Sequence, residues 1–424
     1  MRVARHTMWL RARWLPSRVI PSILAPAIRF RDGVSSWRLL DILVIGGGPA
    51  GISTALHLQA VAPHLRVAVV EKARYPRDKI CAGGIGARAF RIFERIGVEV
   101  DCPCVPIDAV ALRITGHELI VRVPQCGAVV RRLLFDHAFA KVAMERGIEI
   151  RQGCEVRGLT VGERTVRVET TEGTIETRAV VGADGVGGVT RRLAGFVRPT
   201  LRAQVVELDT EGSPKDLPRD TVVFDFAERS LRGYAWDFPT VVEGEPLMCR
   251  GVYVLHDGEA RGDVRTQLAS YLAARGLDIA TYKVKQFAEQ GWAPGSEISK
   301  PRVLLVGEAA GIDIATGEGI GQAIEYGSVA GPYLAAALAR DDLGFTDWRT
   351  TVDTHHLGWQ MAIRHACYDN FYSARRPTIE NMMPRLGKLF RVGIQDFAGQ
   401  PLDKLAIAHG AGQFLAAYAT RHRP

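Results

Sequence analysis

The sequence lacks the features that mark membrane-spanning, fibrous or disulfide-stabilised proteins. Its 424 residues hold seven cysteines, an odd number at irregular spacings, which favours a reducing compartment over a disulfide framework. Pro16, Pro21 and Pro26, with Arg18 among them, exclude a transmembrane helix near the N-terminus. No internal repeat or low-complexity segment occurs. The composition and length indicate a globular protein of two or three structural units.

Positive charge is concentrated at one end of the chain. The formal net charge is +8, but residues 1–40 hold eight arginines and one aspartate, a net +7, and the remainder is nearly neutral. This distribution argues against a nucleic-acid groove in the folded part. Tryptophans interleaved with arginines at residues 8–15 suit a membrane-surface segment, an arginine-rich start also suits an organelle transit peptide, and a start without a fold is a third interpretation. We predict a cytoplasmic protein, with peripheral membrane contact through this basic tail as one open interpretation.

The most informative pattern is a strand, a glycine-rich turn and a helix near the start of the folded part. An apolar run ends in Gly46, Gly48 and Gly51, and a helix of small residues follows at once. These glycines permit a tight turn, close approach of a pyrophosphate and close packing of the helix on the strand. Glu71 ends the next apolar run, where a carboxylate accepts hydrogen bonds from a ribose, and Lys72 follows it. The pattern predicts a dinucleotide site that includes all five residues.

Beyond this unit, strands and helices alternate in a way that returns repeatedly to the first sheet. The spacing predicts a helix over 134–146, a hairpin within 166–181, a separate strand-rich insert over 202–300, and a buried parallel strand at 301–307. From residue 342 the pattern is helical. We predict an α/β protein divided into a basic tail (1–38), a discontinuous Rossmann-type domain (39–106, 128–201 and 300–340), a mostly antiparallel sheet domain for substrate (107–127 and 202–299) and a helical C-terminal region (341–424).

Three separated segments resemble the fingerprint of flavoproteins with the para-hydroxybenzoate hydroxylase fold. They are the glycine turn with Glu71, the segment Gly182-Ala-Asp184-Gly185, and the segment Gly307-Glu308-Ala-Ala-Gly311. The resemblance spans roughly residues 41 to 335 and implies bound FAD in the Rossmann-type domain. A long dinucleotide needs contacts from several strand ends, and these segments supply them.

Two further residues bear on this resemblance. Arg132, four residues before Asp136, matches the arginine that contacts the cofactor in this family. Glu308 stands where the family usually has an aspartate that holds the flavin ribitol. Its side chain is one methylene longer, so either the contact persists with shifted geometry or a neighbouring backbone amide replaces it.

Within that fold, three local sequences resemble the geranylgeranyl reductase family. They are Lys79-Ile-Cys81-Ala-Gly83-Gly84, Tyr234-Ala-Trp236-Asp-Phe238-Pro239 and Thr316-Gly317-Glu318-Gly319-Ile320. In relatives the first lies near the flavin, the second lines the substrate cavity, and the third begins a helix that faces the flavin. The resemblance implies a reductase that saturates double bonds of a polyprenyl, geranylgeranyl-type chain. Ala82 departs from the glycine of many relatives, which leaves the loop path beside the flavin open.

The same residues also support inferences that do not depend on the family resemblance. Gly317 and Gly319 open a helix whose N-terminal amides can approach a flavin, although helix packing alone also selects small residues. Tyr234, Trp236 and Phe238 alternate, so they share one face of a strand, as a ligand wall or as plain core. Cys81 is the candidate catalytic residue, as a proton donor beside the flavin. A buried, inert thiol is the competing interpretation.

The predicted partners are a prenyl-lipid substrate and an external electron donor. No second dinucleotide fingerprint is visible, so NADPH and a ferredoxin-like carrier both stay open as reductants. The eleven histidines show no metal-ligand spacing, and we predict no metal and no nucleic acid. An FAD-dependent monooxygenase or halogenase acting on an aromatic substrate is the alternative function. A flavin-bearing binding protein without turnover is a third.

Overall fold

The computed structural model describes residues 39–256, 263–383, 386–402 and 412. The predicted basic tail at residues 1–38 therefore lies outside the described residues. The strands are β1 (Leu40–Ile45), β2 (Val67–Glu71), β3 (Gly84–Gly86), β4 (Cys104–Ile114), β5 (His117–Val130), β6 (Glu149–Gln152), β7 (Val156–Val161), β8 (Val166–Thr170), β9 (Gly173–Gly182), β10 (Arg202–Thr210), β11 (Thr221–Asp225), β12 (Gly233–Val242), β13 (Glu245–His256), β14 (Lys285–Gln290), β15 (Ser299–Lys300) and β16 (Val303–Leu305). The α-helices are α1 (Pro49–Val61), α2 (Ala87–Glu94), α3 (Arg132–Glu145), α4 (Thr190–Leu193), α5 (Val264–Ala273), α6 (Ile320–Ala339), α7 (Trp348–Thr354), α8 (His356–Phe371), α9 (Arg376–Met382) and α10 (Gly387–Phe397).

The first sheet has the strand order β15-β16-β9-β1-β2-β6. From β16 to β6 its strands run parallel, and Ile42, Leu43 and Val44 of β1 are fully buried. Burial on both faces explains why this strand is a continuous apolar run without alternation. The expected hairpin is confirmed, since β8 pairs antiparallel with β9. This arrangement brings the carboxyl ends of β2, β1, β9 and β16 to one edge.

The predicted strand at 301–307 is confirmed but shorter than expected. It pairs parallel with β9 over Val303–Leu305 only. Arg302 has φ +63° and Gly307 has φ +59°, and neither conformation can continue an extended strand. Left-handed positions therefore bracket the strand, and Val306 between Leu305 and Gly307 is still extended and donates to the Gly182 carbonyl oxygen at 3.0 Å.

The second sheet has the order β14-β10-β13-β12-β11-β4-β5-β3. Its pairs are antiparallel except for β11 with β4. The strand-rich insert predicted after residue 202 is thus confirmed as a mostly antiparallel sheet. The hairpin β4–β5, which precedes the insert in the sequence, joins this sheet through the parallel pair β4–β11. The alternation of apolar and polar residues did not predict that pairing.

Helix α6 crosses helix α1 at close range. It packs against α1 at Gly327 and Gly331, where an added β-carbon would meet Ser53 Oγ at 2.4 Å and the backbone nitrogen of Leu58 at 2.6 Å. Small residues at this crossing let the two backbones approach closely. Among the described residues, no helix combines the length and apolar character that crossing a bilayer requires.

Candidate functional site

The glycine turn forms an open cradle at the carboxyl edge of the first sheet. Gly46 has φ +108°, and a β-carbon there would stand 2.5 Å from the carbonyl oxygen of Ala183. Gly48 is the N-cap of α1, and a β-carbon there would meet only Arg77 Nη2, at 3.7 Å. The space in front of the helix N-terminus is therefore free for an anionic group, which the helix dipole favours.

Glu71 and Arg77 close one end of this cradle. The Gly47 amide donates to Glu71 Oε2 at 2.9 Å, and Arg77 bridges Glu71 (3.4 Å) and Asp136 (3.1 Å). The predicted Lys72 is exposed beside them. Glu71 is thus oriented from several sides, as a ribose-binding carboxylate needs to be.

The predicted Arg132 lies buried at the start of α3. Its guanidinium donates to both carboxylate oxygens of Asp136, at 2.7 and 2.8 Å. This bidentate pair fixes the side chain within its own helix. Arg77, on the other side of Asp136, joins it to the Glu71 cluster.

Asp184 and Glu308 follow the adjacent strands β9 and β16. Asp184 Oδ2 accepts from the backbone nitrogen and the hydroxyl of Thr190, both at 2.9 Å, and Lys79 lies 3.7 Å from Glu308 Oε2. The other oxygen of each carboxylate is enclosed and has no hydrogen-bond partner among the residues that the structure describes. Burial raises the pKa of Asp184. Enclosed acceptors without a protein donor fit a ligand that brings its own hydroxyl groups, such as the ribose and ribitol of FAD.

A cavity of about 980 Å³ lies between the second sheet and the C-terminal helices. Its lining includes Cys81, Gly83, Gly317 and Gly319, so the structure brings the two glycine-rich segments to one space. Its wall is largely apolar and includes Ile107, Val110, Leu112, Phe224, Phe226, Phe287, Phe390 and Leu402. Ligand pockets usually span about 300–1,000 Å³, so this one suits a large apolar ligand.

The aromatic strand β12 presents two different faces. Tyr234, Trp236 and Phe238 line the cavity, and Tyr234 stacks on Tyr253 at a centroid distance of 5.0 Å. On the strand between them, Asp237 pairs with Arg250 of β13 at 2.5 Å and with Arg275 at 2.7 Å. The aromatic wall is therefore anchored from behind by a buried ion network.

The Cys81 loop is held by backbone contacts. The Cys81 amide donates to Glu207 Oε1 at 3.1 Å, and Cys81 Sγ accepts from the Gly83 amide at 3.4 Å. Burial raises the pKa of the Cys81 thiol, and it also raises the pKa of Glu207, to about 7. The thiol is thus protonated at neutral pH and is a weak nucleophile.

Three of the cavity residues that sequence reasoning missed carry polar groups. Tyr253 and Glu289 both line the cavity, and Arg364 of α8 contacts Asp313 at 2.8 Å and Glu318 at 2.5 Å. Glu289 stands two residues after Phe287 on β14, and this alternation was a usable signal. Arg364 offered none, since an arginine on a helix ordinarily faces solvent.

One side of the cavity reaches the surface along α8. Trp359 and Ile363, one turn apart, line it and are 49% and 43% exposed. Large apolar side chains at a cavity edge allow an apolar ligand to enter without crossing a polar rim. No group of three or more candidate metal ligands occurs in the described parts of the chain.

Comparisons with known proteins agree with this geometry. A family model described as FAD binding domain matches residues 40–341. Digeranylgeranylglycerophospholipid reductase 1 of Methanopyrus kandleri is 28% identical over 368 residues, which cover 82% of this chain and 91% of the relative. A geranylgeranyl bacteriochlorophyll reductase-like structure from Thermoplasma acidophilum has a TM-score of 0.69 and 17% identity, with 88% and 96% of the two chains covered. A flavin-dependent brominase has a TM-score of 0.67 and 17% identity, covering 91% of this chain and all of the brominase, so the two solved structures establish the fold alone.

Proposed function

This chain belongs to the FAD binding domain family, and we propose that, as an FAD-dependent oxidoreductase, it saturates isolated double bonds of a polyprenyl, geranylgeranyl-type chain. The observation that carries this proposal is the large, mostly apolar cavity, which is lined in part by the Cys81 and Gly317 segments that we expect to face the flavin. The name of the Methanopyrus kandleri relative supports the same substrate class.

The cavity suits a long hydrocarbon better than a single aromatic ring. About 980 Å³ of space runs from Gly317 to Trp359, with aromatic and aliphatic side chains over most of its length. A prenyl chain gains free energy from burying each of its methyl and methylene groups. The apolar edge on α8 would let such a chain enter from a lipid environment while its head group stays outside.

An unactivated alkene offers no carbonyl for the protein to polarise. Bound FAD, once reduced by an external donor, supplies the hydride for this chemistry. The protein then contributes position and a dry environment: Tyr234, Trp236 and Phe238 orient the chain, and the closely packed segments at Gly83 and Gly317 bring it to the cofactor. Such orientation and water exclusion are the main sources of rate for an apolar substrate.

The proposed sites follow from the same geometry. Gly48 at the N-terminus of α1 would approach the pyrophosphate, while Gly46 and Gly51 permit the turn and the close packing that place this terminus. Glu71 would hold the adenosine ribose, and Asp184 with Glu308 the remaining hydroxyl groups. Gly307 and Gly311 lie before and after Glu308 in its loop, and a β-carbon would stand 2.5 Å from Ala50 Cβ at Gly307 and 2.7 Å from Trp292 Cα at Gly311. The domain limits given above and peripheral membrane contact belong to this proposal as well.

The test is anaerobic turnover followed by mass spectrometry. Purified holoenzyme is reduced with dithionite and incubated separately with geranylgeranyl diphosphate, a digeranylgeranylglycerol phospholipid and menaquinone. We expect the mass of one acceptor to rise by two hydrogen atoms per saturated bond. Enzyme stripped of FAD is the control and should give no change.

The opposing function has its own signature. Substrate-dependent oxygen uptake with an aromatic compound, and no hydrogenation of any prenyl acceptor, would favour a monooxygenase or halogenase and contradict the reductase. The brominase neighbour shares the fold, which both functions use.

A further inference from the structure

Glu289 places a carboxyl group in the cavity beside the flavin-facing loop. It lies on β14 and lines the cavity together with Phe287, two residues before it on the same strand face. A β-carbon at Gly317 would stand 3.2 Å from Glu289 Oε2 and 3.2 Å from the Tyr234 hydroxyl. The carboxyl group, the aromatic wall and the loop expected to face the flavin therefore meet at one point.

This carboxyl group differs from the other acids that line the cavity. Glu318 pairs with Arg364 at 2.5 Å, and Asp396 pairs with Arg88 at 2.7 Å. Glu289 Oε2 is enclosed and has no hydrogen-bond partner among the described residues. A charged carboxylate without a partner is costly in such surroundings, whereas a neutral carboxylic acid is tolerated.

The groups around Glu289 favour the neutral form. Burial, and then the charge of Glu308 after β16, raise the pKa of Glu289 well above its ordinary value, and Asp313 before α6 and Glu207 on β10 act in the same direction. Lys79 opposes them, but its ammonium group pairs with Glu308 at 3.7 Å. The hydroxyl groups of the neighbouring tyrosines on β12 and β13 are uncharged. Glu289 thus keeps its proton where a substrate double bond would lie.

We infer that Glu289 is the proton donor that completes alkene reduction, an inference that rests on the proposed function. One C–H bond forms with the hydride from reduced FAD, and a second forms as the O–H bond of Glu289 breaks and its proton goes to the other alkene carbon. The π bond is lost, the substrate gains two electrons and two hydrogens, and FAD is left oxidised. Water reprotonates the carboxylate after the product leaves.

Glu289 is better suited to this step than Cys81. A carboxylic acid starts from an ordinary pKa near 4.3, against about 8.5 for a thiol, and Glu289 Oε2 has no hydrogen-bond partner among the described residues. Burial raises the pKa of Cys81 as well. Cys81 Sγ also accepts the Gly83 amide, which ties the sulfur to its own loop.

The decisive experiment compares Glu289→Gln with wild type in anaerobic single turnover of pre-reduced holoenzyme with geranylgeranyl diphosphate. Loss of general-acid catalysis should slow alkene reduction by roughly 100- to 10,000-fold, while FAD content and reduction by dithionite stay unchanged. The wild-type rate should fall as pH rises through the pKa of Glu289, and that fall should be absent in the variant. Glu297→Gln, the same change at an exposed acid paired with Lys300, is the matched control and should behave as wild type.

Infrared spectroscopy tests the protonation state without turnover. At neutral pH the carbonyl band of protonated carboxylic acids, to which Glu207 also contributes because its pKa is about 7, should lose intensity in Glu289→Gln relative to wild type and stay unchanged in Glu297→Gln. Glu289→Asp keeps an acid at the position and should shift the band, which covers the case in which the amide variant folds poorly.

The outcomes separate two failures. The proton-donor assignment alone would be overturned if wild type and Glu289→Gln hydrogenated the acceptor equally fast. It would also be overturned if no substitution at Glu289 altered the infrared band. Wild type that hydrogenates no prenyl acceptor would overturn the proposed function and this assignment with it.

Discussion

Replacing Gly46 by alanine should weaken FAD binding more than it weakens folding. The new β-carbon would stand 2.5 Å from the Ala183 carbonyl oxygen and 2.8 Å from Asp184 Cα, whereas real contacts stay above 3.0 Å, so the end of β9 must move by at least 0.5 Å. That movement displaces Asp184 from the cofactor edge. Overpacking of this kind costs about 1–3 kcal/mol. If this whole cost appears as weaker FAD binding, the dissociation constant for FAD rises by roughly 5- to 150-fold.

Gly147→Ala provides the matched control. Gly147 has φ +84°, and a β-carbon there would meet no atom of the described residues within 4 Å, so alanine adds only the strain of a left-handed conformation, about 1–2 kcal/mol. Both apoproteins should melt earlier than wild type, but only Gly46→Ala should bind FAD more weakly when the apoprotein is titrated and flavin fluorescence is followed. Equal FAD affinity in Gly46→Ala and wild type would refute the steric reasoning.

Three further outcomes are expected. Asp237→Ala removes the carboxylate shared by the buried Arg250 and Arg275 and should lower the unfolding free energy by about 3–5 kcal/mol in urea titrations; a loss below about 1 kcal/mol would contradict the buried network. Gly331→Ala puts a methyl group 2.6 Å from a backbone nitrogen of α1 and should cost about 1–3 kcal/mol, seen as a lower melting temperature, and an unchanged melt would contradict the close crossing. The hydrogen bond with Asp396 raises the pKa of His356 from 6.5 to about 9, so the stabilisation by protonated His356 is complete below pH 6.5 and is lost as pH rises through 9. Between these pH values the unfolding free energy of wild type should fall more than that of His356→Gln. Equal falls in the two proteins would contradict this role of His356.

Much of the fold could be predicted because its signals are local. The fully buried β1 is a continuous apolar run, the β8–β9 hairpin alternates around a turn, and the aromatic residues of β12 fall on one face by period two. Each pattern depends on residues within a few positions of one another. The same holds for the Gly46 turn, whose glycine spacing reflects a local backbone requirement.

The polar detail of the site could not be predicted in this way. Arg77 joins Glu71 to Asp136, and Arg364 holds Asp313 and Glu318 across about fifty residues of sequence. Such pairs arise only when the sheets and helices are assembled, and an arginine in a sequence does not indicate its partner. The brevity of β16 also escaped, because nothing in the sequence marks Arg302 as a left-handed residue.

The two-faced strand β12 has a consequence for how substrate range can change. Exchanging ring sizes at Tyr234, Trp236 or Phe238 would reshape the tunnel while the carboxylate of Asp237 continued to hold the strand. Inserting or deleting one residue in β12 would exchange the two faces of the strand, because successive side chains point to opposite faces. The Asp237 carboxylate would then point into the cavity, and the aromatic rings would face the buried guanidinium groups. Divergence of this wall is therefore expected to proceed by substitution at constant length.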